Sequence, residues 1–267
     1  MTEAAIGGGE MSQVDSFVGR RVLVTGAASG IGLAIAKHFS LQGSTVVISD
    51  VDAGGLEELS KVIGPCEIVV ANLAERGQVA RLAKEAGHVD ILVNNAGLQH
   101  VSRLEDFPEE RLDTLLAVML VAPFLLAKAC LPAMYQQQWG RIVNIASVHG
   151  LVASANKGAY VAAKHGLVGL TKVIALEAAA KCNDVTAHAI CPSYVRTSLV
   201  EDQIEDQSLV TGLPKDQVIS GTLLAQNAVK LLIEPDDVAS AVAWVCGTKA
   251  WSMTGSALTM DAGWLAH

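Results

Sequence analysis

The sequence predicts an α/β fold, a single doubly wound parallel sheet of about seven strands with helices on both faces. From residue 20 onward, short β-rich apolar runs alternate with longer segments of helical spacing, which is the pattern of βαβ units. No break in composition and no internal repeat marks a second domain. We therefore expect residues 1–18, which are acidic and Gly-rich, to form a flexible lead, and residues 19–267 to form one domain.

Each strand is expected from a short apolar run, and each helix from apolar residues three or four positions apart. The run RVLVTG ends on Gly26, as is typical of a strand buried on both faces. The predicted strands are 21–26, 44–50, 66–73, 89–97, 140–147, 185–195 and 257–263; the predicted helices are 30–43, 53–64, 75–87, 109–138 (one long helix or two joined), 159–180 and 235–247. Residues 197–230 carry broken helical patterns and are predicted to form a helical insertion that covers the substrate.

Composition and charge exclude several classes of protein. The chain has 267 residues, 51% of them apolar, and a net charge of −8 without any Lys/Arg run, so we expect no nucleic-acid partner. No apolar run reaches the roughly 18 residues of a membrane span. The five cysteines are scattered and form no CxxC pair, which predicts reduced thiols in the cytoplasm. No clustered carboxylates or histidine spacing predicts a metal site.

The turn between the first strand and the first helix has the features of a dinucleotide site. In TGAASGIG, Gly26, Gly30 and Gly32 allow the backbone to approach a pyrophosphate, and the helix N-terminus offers free N–H groups. Asp50 ends the second strand, where an acid accepts hydrogen bonds from the adenosine ribose and repels a 2′-phosphate. No Arg or Lys lies between Gly43 and Leu56 to bind that phosphate. The sequence therefore predicts NAD as the cofactor.

Four motifs in order, TGAASGIG, NNAG at 94–97, Ser147 and YVAAK at 160–164, resemble the short-chain dehydrogenase/reductase family. The similarity runs from about residue 19 to the end of the chain. It implies a Rossmann-type sheet, a nicotinamide cofactor and a catalytic Ser–Tyr–Lys group. On this sequence Tyr160 would be the acid/base, Lys164 its partner and Ser147 the hydroxyl that orients the substrate.

The resemblance also implies which residues contact the cofactor. CPSYVRT at 191–197 is similar to the family's segment beside the nicotinamide, with Ser193 where Gly is common. The residues expected to contact the cofactor are Thr25, Gly26, Ser29, Gly30, Ile31, Gly32, Asp50, Asn72, Leu73, Asn94, Ala96, Gly97, Tyr160, Lys164, Pro192, Val195 and Thr197.

The spacing of Tyr160 and Lys164 agrees with the assigned chemistry. Residues four apart share one face of a helix. A free tyrosine has a pKa near 10, and we expect the nearby ammonium and the positive oxidised nicotinamide to lower it. Tyr160 could then take a proton from an alcohol while hydride leaves for the cofactor.

Two positions depart from the family pattern. Met119 stands where a helical Asn often contributes to a proton relay, and a thioether cannot replace an amide donor. Either the relay runs through water and backbone alone, or activity is reduced. Asn72 stands where an Asp usually lies near the adenine, and its carbonyl oxygen can still accept a hydrogen bond there.

Polar residues around the motifs indicate a small anionic substrate. Gln, His and Lys side chains offer several donors, and a cation matches a carboxylate. These residues lie in or near the segments NNAGLQH, SVHGLVAS, VRTSLVEDQI and MDAGW. The segments closely resemble those of a narrower group in the family, the bacterial dehydrogenases of 3-hydroxybutyrate. This implies NAD-dependent interconversion of (R)-3-hydroxybutyrate and acetoacetate. The residues expected at the substrate are Gln99, Ser147, His149, Lys157, Tyr160, Tyr194 and Gln203, with Trp264 as a further pocket aromatic.

Alternatives remain open at this point. A dehydrogenase of the same fold could act on a sugar, a polyol or a different 3-oxo acid. An NAD-binding sensor with little turnover is the alternative from another class, and Met119 is the feature in its favour. The apolar composition and two late helices, 159–180 and 236–247, indicate assembly through helix faces, and members of the family are commonly homotetramers.

Overall fold

The computed structural model describes residues 17–198, 200, 201, 204, 205, 208 and 212–266. The predicted lead falls outside these residues except for Phe17 and Val18. Phe17 is buried and its ring meets that of Phe39 edge-on, with centroids 5.1 Å apart. Gln203, predicted at the substrate, also lies outside the described residues.

The centre of the fold is a seven-stranded, all-parallel sheet, as predicted. The strands are β1 (Arg21–Thr25), β2 (Thr45–Asp50), β3 (Cys66–Val70), β4 (Ile91–Asn94), β5 (Gly140–Ile145), β6 (Val185–Pro192) and β7 (Ala257–Met260). Their order is β3-β2-β1-β4-β5-β6-β7. The order reverses between β1 and β4, and ligands of open α/β sheets bind at such a switch point.

Helices follow the strands on both faces of the sheet. They are α1 (Gly30–Leu41), α2 (Ala53–Ile63), α3 (Arg76–Ala86), α4 (Glu109–Leu116), α5 (Ala122–Gln136), α6 (Gly158–Ala179), α7 (Lys215–Val218) and α8 (Pro235–Cys246). The segment predicted as one long helix or two is a pair, because a π-helical turn at Ala117–Val121 separates α4 from α5. In the predicted insertion, residues 198, 200, 201, 204, 205 and 208 are also helical.

Two apolar layers hold the helices to the sheet. Successive side chains of a strand point to opposite faces. On β1, Leu23 packs with the layer that contains α3, α5 and α6, whereas Val22 and Val24 pack with the layer that contains α1, α2 and α8. All three are fully buried. The strands inside the sheet, from β2 through β6 in the strand order, are thus covered on both faces, which explains why they read as continuous apolar runs. The edge strands β3 and β7 are only partly buried.

Two helical stretches, Glu109–Gln136 and Gly158–Ala179, are long and apolar enough to cross a membrane by length and composition alone. This differs from the expectation that no segment has that character. Both stretches pack against the sheet, and residues such as Leu126 and Ala163 are fully buried in the layer between them. Core helices of globular proteins reach the same composition, and the buried part of these two helices is accounted for by packing against the sheet.

Candidate active site

A cavity of about 440 Å³ opens at the carboxyl ends of the strands around the switch point. Of the residues predicted for the cofactor, it is lined by Gly26, Ser29, Gly30, Ile31, Asp50, Asn72, Leu73, Ala96, Gly97, Tyr160, Lys164, Pro192, Val195 and Thr197. Of those predicted for the substrate, it is lined by Gln99, Ser147, His149, Lys157, Tyr160 and Tyr194. The two predicted sets therefore share one continuous space.

The glycine turn after β1 leaves no room for side chains. Gly26 has a φ of 65°, and a Cβ there would lie 2.7 Å from the Cα of Ala96. A Cβ on Gly32 would lie 2.0 Å from the carbonyl oxygen of Gly26. Both glycines are required by close approach within the protein. Gly30, with a φ of 53°, faces the methyl group of Thr197 across the cavity mouth.

Asp50 closes one end of the cavity. Its Oδ2 accepts a hydrogen bond from the Ala28 amide at 3.0 Å, and its Oδ1 accepts from the Val51 and Asp52 amides at 2.7 and 3.1 Å. These bonds fix the carboxylate against the glycine turn. Since Oδ1 already accepts two hydrogen bonds, the acceptor site that remains for a further donor is on Oδ2.

Asn72 already has partners for both ends of its side-chain amide. Its Oδ1 accepts from the Ala74 amide at 3.0 Å, and its Nδ2 donates to Glu75 at 3.2 Å. The predicted contact with the adenine amino group would use the second lone pair of Oδ1.

Three predicted cofactor residues do not line the cavity. Thr25 is buried, and its hydroxyl accepts hydrogen bonds from the Asn95 and Ala96 amides at 3.0 and 3.2 Å. Asn94 is buried in the sheet and donates to Asn144 at 2.8 Å. Gly32 lies behind the turn. These residues hold the floor of the site, and Asn95, which follows Asn94, is the asparagine that lines the cavity.

Ser147, Tyr160 and Lys164 come together where β5 and α6 meet. Ser147 caps the short 3₁₀ turn Val148–Gly150, and its hydroxyl accepts from the His149 amide at 3.2 Å. Tyr160 and Lys164 lie one turn apart on α6, with the lysine Nζ 5.6 Å from the tyrosine ring centroid. The Lys164 ammonium donates to the Ile145 carbonyl at 2.7 Å. The side chains that the sequence assigned to catalysis are thus adjacent.

Burial dominates the pKa values of this group. Burial raises the pKa of Tyr160, while a hydrogen bond with Ser147 acts in the opposite direction. Burial lowers the pKa of Lys164 to about 8. For the protein alone, desolvation of the phenolate is the largest influence on this pKa and raises it. The predicted lowering also involved the positive charge of the oxidised nicotinamide, so it stays a prediction for the complex with the cofactor.

Met119 lies behind the cavity floor and is fully buried. It sits in the π-helical turn Ala117–Val121, a local distortion often found at functional sites. A Cβ placed on Gly97 would be 3.9 Å from the Met119 sulfur and 4.0 Å from the Lys164 Nζ. The thioether therefore lies on the same side of Gly97 as Lys164, and it has no N–H or O–H group that could pass on a proton.

Lys157 and His149 form the polar end of the substrate side. Both are buried, with 8% and 5% of their surface exposed. Burial lowers the pKa of Lys157, and burial with the nearby Lys157 charge lowers the pKa of His149 to about 4. His149 is therefore neutral near pH 7, and its Nε2 is paired with the Ser154 hydroxyl at 2.8 Å. Among the described residues, the Lys157 ammonium has no ion-pair partner.

Aromatic rings build the wall beside this polar end. Tyr194 stacks on Trp264 with ring centroids 6.2 Å apart and planes at 17°. Trp264 meets His149 edge-on at 5.4 Å, and the Lys157 Nζ lies 5.5 Å from the Tyr194 ring centroid. The predicted pocket aromatics therefore contact the predicted anion-binding residues directly.

The sequence missed some lining residues. Asn95, Ser198 and Val200 line the cavity without having been assigned to it. Asn95 was within the NNAG motif, and only the register of β4 decides which asparagine faces the cavity. Ser198 and Val200 follow the segment beside the nicotinamide and gave no chemical signal. Among the residues that the structure describes, no group of three His, Cys, Asp or Glu could hold a metal ion.

The chain belongs to the short chain dehydrogenase family, whose members match it over residues 20–208. It is an oxidoreductase of this family and uses a nicotinamide cofactor. Among similar proteins, it is 42% identical to D-beta-hydroxybutyrate dehydrogenase of Cupriavidus necator, over 93% of this chain and 99% of that one. It is 41% identical to the Rhizobium meliloti protein of the same name, over 93% and 99%. A 3-oxoacyl-[acyl-carrier-protein] reductase of Rickettsia prowazekii is 31% identical over 93% and 98%.

Proposed function

We propose that this protein is an NAD-dependent dehydrogenase that interconverts (R)-3-hydroxybutyrate and acetoacetate. The observation that carries the substrate assignment is Lys157. It is a buried cation that faces the cavity, and no carboxylate pairs with it among the described residues. An uncompensated buried charge is costly, and an anionic substrate would compensate it. The similarity to two D-beta-hydroxybutyrate dehydrogenases supports the same substrate.

The cavity is the right kind of space for such a short acid. The aromatic wall of Tyr194 and Trp264 closes it over the carbon chain, and His149 adds a neutral hydrogen-bonding group beside Lys157. In the proposal Gln99 and Gln203 complete the set around the carboxylate. Anchoring the carboxylate orients the hydroxyl-bearing carbon, so binding energy is used for alignment.

The glycine turn and Asp50 fit NAD. Gly26 and Gly30 line the cavity, and the absence of side chains there would let a pyrophosphate approach the backbone. Asp50, held in place by three backbone amides, keeps one acceptor site on Oδ2 for a ribose hydroxyl and would repel a 2′-phosphate. Held by these residues, NAD would supply the acceptor for the hydride.

The residues of the chain perform the proton chemistry. Ser147 and Tyr160 bind the substrate hydroxyl, and the Tyr160 phenolate takes its proton. The Lys164 ammonium favours the phenolate against the effect of burial, and the positive charge of the oxidised ring acts in the same direction. Since Met119 supplies no polar group, the proton leaves through water and backbone carbonyls near Lys164. We propose that the helical segment in 197–230 covers the substrate and excludes water.

The proposed function is tested by following NADH absorbance with purified protein, NAD and each enantiomer of 3-hydroxybutyrate. The expected result is rapid NADH formation with the (R) form and little with the (S) form, and weak activity when NADP replaces NAD. Turnover of a polyol or a longer 3-hydroxy acid without turnover of 3-hydroxybutyrate would contradict the substrate and leave the catalytic group in place.

We further propose a homotetramer in the cytoplasm, without membrane or nucleic-acid partners. All five cysteines are free thiols, which suits a reducing compartment. The outer face of α6 exposes Val173 and Leu176, which have 49% and 74% of their surface accessible, and α5 exposes Phe124 at 53%. Light scattering should give the mass of four chains, and Leu176→Glu should give a smaller species if this face forms the interface.

A further inference from the structure

Ser193 stands at the reacting end of the cavity with a hydroxyl proton that the protein does not use. It follows Pro192 at the end of β6 and lines the cavity beside Tyr194. Its backbone amide donates to the Met260 carbonyl at 3.0 Å, so the residue is fixed to β7.

Asn227 determines the role of that hydroxyl. It is 1% exposed, and its Nδ2 contacts the Ser193 Oγ at 3.0 Å and the Asp261 carbonyl at 2.8 Å. A carbonyl can only accept, so the atom facing Asp261 must be the amide nitrogen. The reversed amide would bring two acceptors together. Both amide protons are therefore donated, one to Asp261 and one to Ser193.

Ser193 consequently accepts from Asn227, and its own proton must point elsewhere. The Asn227 Oδ1 is buried without a partner, so the Ser193 hydroxyl does not donate to it. No hydrogen bond from the Ser193 Oγ to an acceptor is formed among the residues that the structure describes. The remaining direction for the proton is the cavity that Ser193 lines.

Further hydrogen bonds hold the turn to which Asn227 and Ser193 are attached. Asp261 accepts from the Gly263 and Leu265 amides at 3.1 and 2.9 Å, which holds the turn that carries Trp264. Ala262, with a φ of 52°, accepts from the Val229 amide at 3.0 Å. The donor at Ser193 is therefore preorganised, and a preorganised donor contributes more to binding than a mobile one.

We propose that Ser193 is a further binding residue, whose hydroxyl donates a hydrogen bond to an acceptor oxygen of the bound reactants. Two sources share this chemistry at this end of the cavity, the carboxamide of the nicotinamide and the carboxylate of the substrate. The inference rests on the proposed function for the second source only, because the first requires only the nicotinamide cofactor.

Two binding titrations without turnover test the proposal. The first measures the Kd of NADH from its fluorescence. The second titrates 3-hydroxybutyrate into the enzyme–NADH complex, where both reactants are reduced and hydride transfer cannot occur. Ser193→Ala should raise the NADH Kd by about three- to tenfold if the acceptor is the carboxamide. It should raise the 3-hydroxybutyrate Kd by about tenfold or more if the acceptor is the charged carboxylate.

Two further variants separate a direct contact from a structural effect. Ser193→Thr keeps the hydroxyl and should restore most of the lost affinity. Asn227→Ala removes the bond to Ser193 but leaves the hydroxyl, and should weaken ligand binding less than Ser193→Ala even where it lowers thermal stability more. Both Kd values unchanged in Ser193→Ala would overturn the proposal. Equal losses of affinity in Ser193→Ala and Asn227→Ala, in step with stability, would also overturn it.

The outcome of these titrations can be distinguished from a failure of the proposed function. If wild-type protein binds NADH but 3-hydroxybutyrate does not bind its complex, the proposed substrate is wrong. The Ser193→Ala effect on the NADH Kd then decides the inference by itself: a rise supports it, and an unchanged value overturns it.

Discussion

Lys157 illustrates how one residue can set both affinity and pH dependence. Asn156, just before it, has a φ of 64°, and Lys157 occupies the N-cap position of α6 without a side-chain capping bond. The residue is buried and lines the cavity. In the proposed function this burial would make it a selective anchor, since an unpaired cation gains most from an anionic partner.

Lys157→Ala should raise the KM for 3-hydroxybutyrate by about 10- to 100-fold, the usual range for a charged hydrogen bond. It should also lower kcat, because the carboxylate no longer aligns the reacting carbon. Lys84→Ala, an exposed lysine on α3, is the matched control and should leave both constants unchanged. Initial rates with varied substrate measure the effect, and an unchanged KM for Lys157→Ala would contradict the carboxylate assignment.

The wild-type KM should itself depend on pH. Burial lowers the pKa of Lys157, so its ammonium is lost at a lower pH than that of an exposed lysine. KM for the carboxylate should therefore rise as pH increases through that lowered pKa. Lys157→Arg should move this rise beyond the measurable range, because a guanidinium stays charged. The pH profile of KM for the two proteins checks the prediction.

Lys164 should govern the pH dependence of the chemical step. Because burial raises the pKa of Tyr160, the rate of alcohol oxidation should increase with pH as the phenolate forms. Lys164→Met removes the charge that favours the phenolate, so its rising limb should lie at higher pH. The difference from wild type should be largest below about pH 8, where wild-type Lys164 is charged. Profiles of kcat/KM measure it, with inactive Tyr160→Phe as the control.

At the scale of elements, the glycine turn between β1 and α1 is the least tolerant part of the nucleotide end. Gly32→Ala would place a Cβ 2.0 Å from the Gly26 carbonyl oxygen, which only a backbone shift could relieve. We expect NADH binding to be lost and the free energy of unfolding to fall by more than about 2 kcal/mol. Gly77→Ala in α3, where a Cβ would meet nothing within 4 Å, should be neutral or slightly stabilising. Urea unfolding and NADH titration of both variants provide the test.

The elements that the sequence predicted best are those with one dominant signal. The strands follow from apolar runs that are buried on both faces, and α6 follows from the long spacing pattern around Tyr160 and Lys164. The π-helical turn at Met119 was not predicted, because it depends on the packing of α4 and α5 against the sheet. No local residue pattern encodes it.

The sequence predicted well which segments meet at the site. It predicted less well which side chains face the cavity. Thr25 and Asn94 carry the expected residue types, but the register of β1 and β4 turns their side chains into the sheet. The effect of burial on the pKa of Tyr160 was not predicted, since spacing shows a neighbouring lysine and does not show desolvation. Side-chain direction and burial both depend on the three-dimensional packing, which a linear pattern leaves open.

For the whole molecule, two buried histidines should make stability sensitive to acid. Burial lowers the pKa of His149 and of His188 to about 4, whereas unfolded histidine titrates near 6.5. Between these values the unfolded chain binds more protons. The free energy of unfolding should therefore fall as pH decreases from about 6.5 to 4, by up to roughly 3 kcal/mol for each histidine.

Urea unfolding at pH 6.5, 5.5 and 4.5 checks this dependence. His188→Asn should be less stable than wild type near neutral pH and should lose less stability on acidification. His165→Asn, which alters an exposed histidine on α6, should show the same change of unfolding free energy with pH as the wild type. Parallel slopes for wild type and His188→Asn would show that His188 does not contribute.

The strand order has a consequence for how the chain folds while it is being synthesised. A chain made from its N-terminus first provides β1 to β3, and β4 then pairs with the other side of β1, about seventy residues away along the chain. Every later strand is added outward at the same edge, so Ser147, Tyr160 and finally Trp264 join a sheet whose nucleotide half already exists. Folding during synthesis can therefore add one strand after another, and the substrate side of the cavity is completed last.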